Sequence, residues 1–247
     1  MKEEASVMKT EVIPTHEYPT TVADEIVASI NEVLEEQPRC TLCLAGGTTP
    51  ASVYRLLGLP PRVNEVSWQQ VALFWGDERY VPQEDSRSNQ RMVHDTLLHQ
   101  FRAIPGPEAF AMNTALPTVE QAAEDYENTL LAQGISGEGE EVFDIVLLGI
   151  GEDGHTASLF PNMPVPEERL VFSCSHPSDG TSRISLTPKA LFSAKRIFFL
   201  VMGVGKAEIV GRIFSGEGSP TEIPALYGER AADRTLWFLD SESAGAL

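Results

Sequence analysis

Four short apolar runs, each giving way to glycine, constrain this chain more than any other feature. They are Thr41–Ala45 before Gly46-Gly47, Val71–Trp75 before Gly76, Val142–Leu148 before Gly149, and Ile197–Val204 before Gly205. Continuous apolar runs this short read as strands buried on both faces. Segments of helical character separate them. Val22, Ile26, Ile30 and Val33 recur at helical spacing over Thr21–Glu36, and Pro38 marks the stop. A helix is expected to open at Pro50, since proline is favoured in a first turn. Ser88–Gln100 reads as helical, and Thr118 with Gln121 forms a capping box for a helix running to about Ala132. Thr187-Pro188 opens another, and one more follows Gly205-Lys206 as far as Phe214. Arg183–Leu186 and Thr235–Leu239 read as further strands, and Gly134–Glu141 as a Gly/Glu-rich loop. Strands that alternate with helices predict a mostly parallel sheet with helices on both faces. With 247 residues and no internal repeat, one α/β domain spanning 1–247 is expected, with short insertions at Pro60–Val66 and Pro161–Glu168.

The formal net charge of −18 argues against nonspecific binding to nucleic acid or to an anionic membrane. It leaves room for a small anion, because a few basic groups in a cleft set the local potential. The three cysteines include a C-x-x-C pair, Cys40 and Cys43, which falls within an expected buried strand. No second pair follows, so a redox or metal role is not expected. An odd cysteine count suits a reducing compartment, and Met1–Pro19 shows no apolar leader. A cytoplasmic enzyme with no membrane span is the expectation.

In parallel α/β sheets the ligand crevice lies beyond the strand C-terminal ends. The glycine turns after the first three runs should therefore converge. Gly46-Gly47-Thr48-Thr49-Pro50 offers backbone amides, two hydroxyls and a helix start, which together suit a phosphate. It is neither a P-loop nor a dinucleotide fingerprint, so no nucleotide cofactor is expected. Asp77-Glu78-Arg79 follows the second strand. There Asp77 suits substrate hydroxyls or the positioning of a catalytic group, and Arg79 suits an anion, with Asn89 downstream as a further polar contact. Arg183 and Lys206 add positive charge, Lys206 at another helix start. The third glycine turn carries Asp153-Gly154-His155. An imidazole oriented by a carboxylate is a general base in waiting. His16, His94, His99 and His176 have no comparable setting, and no second His or Cys stands at metal-ligand spacing from His155. Ser158 reads as a turn or cap residue rather than a nucleophile.

Taken together, Ala45–Pro50, Trp75–Pro82, Ser88-Asn89, Gly149–Pro161, Leu186–Pro188 and Gly205–Ala207 resemble the 6-phosphogluconolactonase family over nearly the whole chain. The resemblance implies a Rossmann-like α/β fold and hydrolysis of 6-phosphogluconolactone without metal or cofactor. It implies His155 as the base, with Asp153 orienting it and Asp77 completing the catalytic set. The substrate would be held by Gly46, Gly47, Thr48, Thr49, Arg79, Asn89, Arg183 and Lys206, with Arg183 and Lys206 joining the glycine turn at the phosphate. A monomer or weak homodimer is the expected assembly. The same superfamily includes glucosamine-6-phosphate deaminases, which carry a glutamate five residues after the corresponding histidine. Here that position is Phe160. A deaminase-like aldose–ketose isomerase is thus the alternative, and a noncatalytic sugar-phosphate-binding regulator is a second one.

Overall fold

The computed structural model describes residues 8–136 and 142–247. Residues 137–141 of the expected Gly/Glu-rich loop, and the first seven residues of the chain, lie outside that description. Seven strands form one sheet in the order β1-β10-β9-β6-β2-β3-β5, every neighbouring pair parallel. They are β1 (Lys9–Ile13), β2 (Cys40–Leu44), β3 (Val71–Trp75), β5 (Glu108–Phe110), β6 (Ile145–Leu148), β9 (Arg196–Val201) and β10 (Thr235–Asp240). A second, antiparallel sheet has the order β4-β8-β7, with β4 Asp77–Arg79, β7 Val171–Ser175 and β8 Ser182–Leu186. The helices are α1 (Tyr18–Glu36), α2 (Thr48–Leu57), α3 (Asn89–Thr96), α4 (Val119–Ala132), α5 (Pro188–Leu191) and α6 (Ala207–Phe214).

The apolar runs are the centre of the main sheet. Strands β3 and β6 are buried at every residue, as expected for strands covered on both sides. Edge strands β1 and β5 are short and largely exposed. Lys9 and Glu11 put charge on the β1 edge, which discourages pairing with another chain. Neither edge strand shows an apolar run, and so neither was predicted. The crossovers β1-α1-β2 and β2-α2-β3 step across the sheet in one direction, and β9-α6-β10 steps in the other. Right-handed connections then place α1 and α2 on one face and α6 on the opposite one. Cys40 and Cys43 sit at odd spacing on β2, so their side chains point to opposite faces, and both thiols are free. Burial pushes the Cys40 thiol up to about 12, which leaves it inert.

The chain leaves the main sheet at strand ends that are sealed by buried tyrosines. Ala45, just past β2, donates its N–H to Tyr54 Oη at 3.0 Å and accepts the Tyr54 hydroxyl proton at its carbonyl, also at 3.0 Å. Tyr126 of α4 does the same for Trp75, at 2.8 and 3.1 Å. Tyr18 of α1 bridges two strands, accepting from Val201 N at 2.8 Å and donating to Phe238 O at 3.0 Å. Backbone groups that have just left a ladder must find partners or carry a desolvation cost. Each phenol satisfies one donor and one acceptor.

Tyr54→Phe and Tyr126→Phe should each leave an N–H and a C=O unpaired, costing about 2 kcal/mol. Urea unfolding should show this as a lower midpoint at an unchanged slope.

Candidate active site

The order of the main sheet reverses between β2 and β6. From β2 the chain moves to β3 and β5, and from β6 it moves to β9 and β10. At such a switch point the connections diverge and open a crevice. Gly46 and Gly149 follow the two strands and come within contact range, since a Cβ on Gly149 would sit 4.0 Å from the Gly46 carbonyl. A cleft of about 260 Å³ lies there. Its lining brings together Gly46, Gly47, Asp77, Arg79, His155 and Arg183, with Phe160 and His176 beside them.

The glycine turn after β2 leads into the start of a helix. Gly47 adopts φ 104°, in the region that favours glycine, and α2 begins at Thr48 rather than at the expected Pro50. No side chain caps this helix start. The first-turn amides are thus free for a ligand. A neighbouring cavity of about 170 Å³ is lined by Gly46, Gly47, Thr48, Thr49, Gly149 and Lys206, among others. Lys206 lines this cavity with the glycine turn, and Arg183 lines the larger cleft, which shares Gly46 and Gly47 with it. The pairing of β4 with β8 sets Arg79 directly opposite Arg183. Neither guanidinium Nε has a partner, although both atoms are buried. Burial and the adjacent Arg79 charge pull the Arg183 pKa down. Arg79 and Arg183 thus set two positive charges side by side on the cleft wall, with the Asp77 and Asp179 carboxylates acting on Arg183 in the opposite sense.

Asp77 and Glu78 divide their work by strand alternation. Asp77 lines the cleft, yet both its oxygens are engaged: Oδ1 accepts from Asn89 Nδ2 at 3.0 Å and Oδ2 from Ser158 Oγ at 2.7 Å. Ser158 is fully buried, so it is neither a nucleophile nor a helix cap; it fastens the His155 loop to the smaller sheet. Asn89 is buried behind the cleft and does not line it. Its side chain donates to Asp77 and occupies the space above Gly46, where a Cβ would lie 2.1 Å from Asn89 Oδ1. Glu78 points away and accepts from Asn89 N at 2.7 Å, Gln90 N at 2.6 Å and Ser88 Oγ at 3.1 Å. It anchors the start of α3. Burial pushes the Glu78 carboxyl up, against the lowering effect of those amides. As the middle residue of a charged triplet it read as loop, because a buried carboxylate filling a helix start leaves no spacing signal.

His155 sits in a turn that its own neighbours tie shut. Gly151 N donates to the His155 carbonyl at 2.8 Å, and Gly154, at φ 83°, closes the turn onto Gly151 O at 3.1 Å. Asp153 Oδ1 accepts from His155 N at 3.1 Å and lies 2.6 Å from His155 Nδ1. That contact places a proton on Nδ1 and leaves the Nε2 lone pair for the cleft. The His155 hydrogen bond holds the Asp153 carboxyl down at about 2. The stabilisation it gives is present above the pKa of a free aspartate and is lost as pH falls toward that value. Ala157, a nonglycine residue at φ 48°, turns the chain so that Phe160 packs against the His155 ring, centroids 5.0 Å apart. His176, which has no distinctive setting in the sequence, also packs against Phe160, edge to face with centroids 4.8 Å apart. Its approach depends on the hairpin β7–β8, and β7 was not predicted. No group of three or more potential metal ligands occurs among the described residues.

A Cβ on Gly151 would fall 2.1 Å from His155 Nδ1 and 2.5 Å from Asp153 Oδ1. Gly151→Ala should therefore separate the pair while leaving the sheet intact. The downfield proton resonance of the hydrogen-bonded Nδ1–H should vanish, with the thermal midpoint lowered only slightly.

Comparison with known proteins agrees with this geometry. Residues 15–237 match the family model described as glucosamine-6-phosphate isomerases/6-phosphogluconolactonase. A 6-phosphogluconolactonase of Synechocystis sp. is 35% identical over 90% of each chain. The crystal structure of a 6-phosphogluconolactonase from Thermotoga maritima superimposes with TM-score 0.81 at 29% identity, covering 94% of this chain and 99% of the other. A monomeric glucosamine-6-phosphate deaminase is also similar, with TM-score 0.80 at 25% identity over 97% of this chain and 100% of the other. A single α/β fold with one switch-point cleft, matched across almost its whole length, assigns the chain to the glucosamine-6-phosphate isomerase/6-phosphogluconolactonase family.

Proposed function

We propose that this protein hydrolyses 6-phosphoglucono-1,5-lactone to 6-phosphogluconate, with His155 as general base. The observation that carries the reading is the 2.6 Å contact of His155 Nδ1 with Asp153, at a cleft whose next turn bears Phe160. His155 Nε2 takes a proton from water as the water oxygen bonds to C1. The tetrahedral intermediate then collapses, the bond from C1 to the ring oxygen breaks, and that oxygen receives the proton. The acid formed at C1 ionises to the carboxylate. The lactone is already activated, so one oriented base suffices.

The glycine turn, Thr48, Thr49 and Lys206 take the phosphate, which draws on helix amides and one cation. Arg79 and Arg183 face the C1 end, where negative charge grows in the intermediate and persists in the product. Asp77 accepts from sugar hydroxyls with its remaining lone pairs, and Asn89 holds it in place. The names of the similar proteins support this reading. So does Phe160, since an apolar ring cannot shuttle the protons that sugar-ring opening and isomerisation require. Plain sugar-phosphate binding would not need the Asp153–His155 pair. No helix among the described residues is long and apolar enough to cross a membrane, in keeping with a small-molecule substrate met in solution.

His155→Ala should lower kcat by roughly 10²–10⁴-fold over the spontaneous background while circular dichroism stays unchanged. Near-wild-type turnover would sink the general-base role. Lys206→Ala should raise KM for the phosphorylated lactone and leave unphosphorylated gluconolactone unaffected. Release of ammonia from glucosamine 6-phosphate at a comparable rate would instead favour the deaminase reading.

A further inference from the structure

We propose that His176 is a second imidazole of the reaction, a fixed hydrogen-bond donor to the C1 oxygen as charge builds on it. The proposal rests on the lactonase reading above.

His176 opens the turn that joins β7 to β8. Its N–H donates to Thr181 O at 2.9 Å, and its carbonyl accepts from Gly180 N at 3.0 Å. The turn then folds two amides back onto the ring: Ser178 N and Asp179 N lie 3.3 and 3.4 Å from His176 Nδ1, both as donors. A ring nitrogen that accepts from N–H groups carries no proton of its own. The proton of the neutral ring is thereby fixed on Nε2. That nitrogen has no hydrogen-bond partner among the described residues, and the ring lines the cleft. Asp179 is the acidic group facing the ring, with Oδ1 3.5 Å from Nδ1, and that oxygen already accepts from Thr181 N at 2.8 Å.

His155 has the opposite arrangement. Its Nδ1 gives its proton to Asp153, and its Nε2 accepts. Both ring centroids lie within 5.0 Å of the Phe160 centroid, so the two imidazoles line the cleft in contact with one apolar ring. One offers a lone pair and the other an N–H. A neutral imidazole that donates can polarise a carbonyl without surrendering its proton. His176 follows β7 directly, and Cys174, two residues before it, pairs with Arg183 in the small sheet that also carries Arg79. The small sheet and its hairpin turn thus present the donors to the developing charge, and the turn after β6 presents the base. No proton leaves His176 in this step, so the proton balance given above is unaltered.

The test is lactone hydrolysis, corrected for spontaneous opening, by wild type, His176→Phe and His176→Gln across pH. Loss of a transition-state donor typically costs about 10²–10³-fold in kcat. The Phe variant should lose kcat on that scale with KM nearly unchanged. The Gln variant, whose amide N–H can substitute, should recover at least tenfold of that loss. The wild-type and Gln-variant pH profiles should have the same shape. Wild-type kcat in both variants would overturn the proposal and leave the lactonase reading standing. An alkaline limb present in the wild type and lost in the Gln variant would also overturn it, because His176 would then be a titrating acid. A change confined to KM would make it a binding residue and equally defeat the proposal. If the Phe variant fails to fold, kcat and the pH profile of the Gln variant decide. Wild-type protein no faster than background would remove the lactonase reading itself, and the proposal with it.

Discussion

Everything at the cleft depends on how two adjacent parallel strands are allowed to end. At the switch between β2 and β6, backbone groups leave the ladder inside the protein, where an unpaired amide or carbonyl costs about 1–3 kcal/mol. Tyr54 meets this at Ala45, and Tyr126 meets it one strand over at Trp75. With the ends sealed from behind, the glycine turns ahead can present free amides toward solvent. Gly46 and Gly149 then lie close enough to share one cleft. The helices beneath are thus more than packing, since their phenols pair the backbone where β2 and β3 end and two of the functional turns begin.

The smaller sheet acts as a second wall. Strand β4 starts immediately after β3 through Gly76, whose N–H still bonds to Leu44 O at 2.9 Å and whose carbonyl accepts from Leu186 N at 2.9 Å. One glycine therefore couples both sheets. From there the alternation of β4 sends Asp77 to the cleft, Glu78 to α3 and Arg79 to the cleft again. Ser158 and Asn89 meet on the Asp77 carboxylate and so tie the His155 turn and the start of α3 to the same strand. Such a network is worth more intact than in parts, because each lost bond strands a buried partner.

The central strands were legible because burial on both faces demands uninterrupted apolar residues, as in Val71–Trp75 and Ile145–Leu148. The glycine turns were legible because positive φ at Gly47 and Gly154 leaves little other choice of residue. Asp153 and His155 were legible because their bond is local in sequence. What escaped notice is what long-range packing decides. Strands β1 and β5 are polar edges, and the Val171–Ser175 strand of the small sheet is only partly buried. Glu78 looked like loop charge because its partners stand ten to twelve residues on. Charge in the sequence groups Arg183 with Lys206, and strand register adds its place opposite Arg79. His176 had no signal, since its place in the cleft follows from a hairpin that polar residues such as Ser173 and Ser175 obscure.

A chain of net charge −18 is a poor host for an anion only if charge is averaged over the molecule. Salt screens exposed charges beyond about 8–10 Å, so the acidic exterior is felt weakly inside the cleft. Within it stand Arg79 and Arg183, each with an unpartnered Nε, with Lys206 and the uncapped start of α2 on the adjoining side. Asp77 of the cleft is turned to Asn89 and Ser158, and Asp153 beside it bonds to His155. The carboxylate oxygens are thus engaged by hydrogen bonds, and the two arginines keep an N–H to offer. Under the proposed reaction this asymmetry favours the intermediate over the lactone at one end, where charge is gained, and holds the phosphate at the other, where charge is constant. Interactions of the first kind raise kcat, and those of the second lower KM.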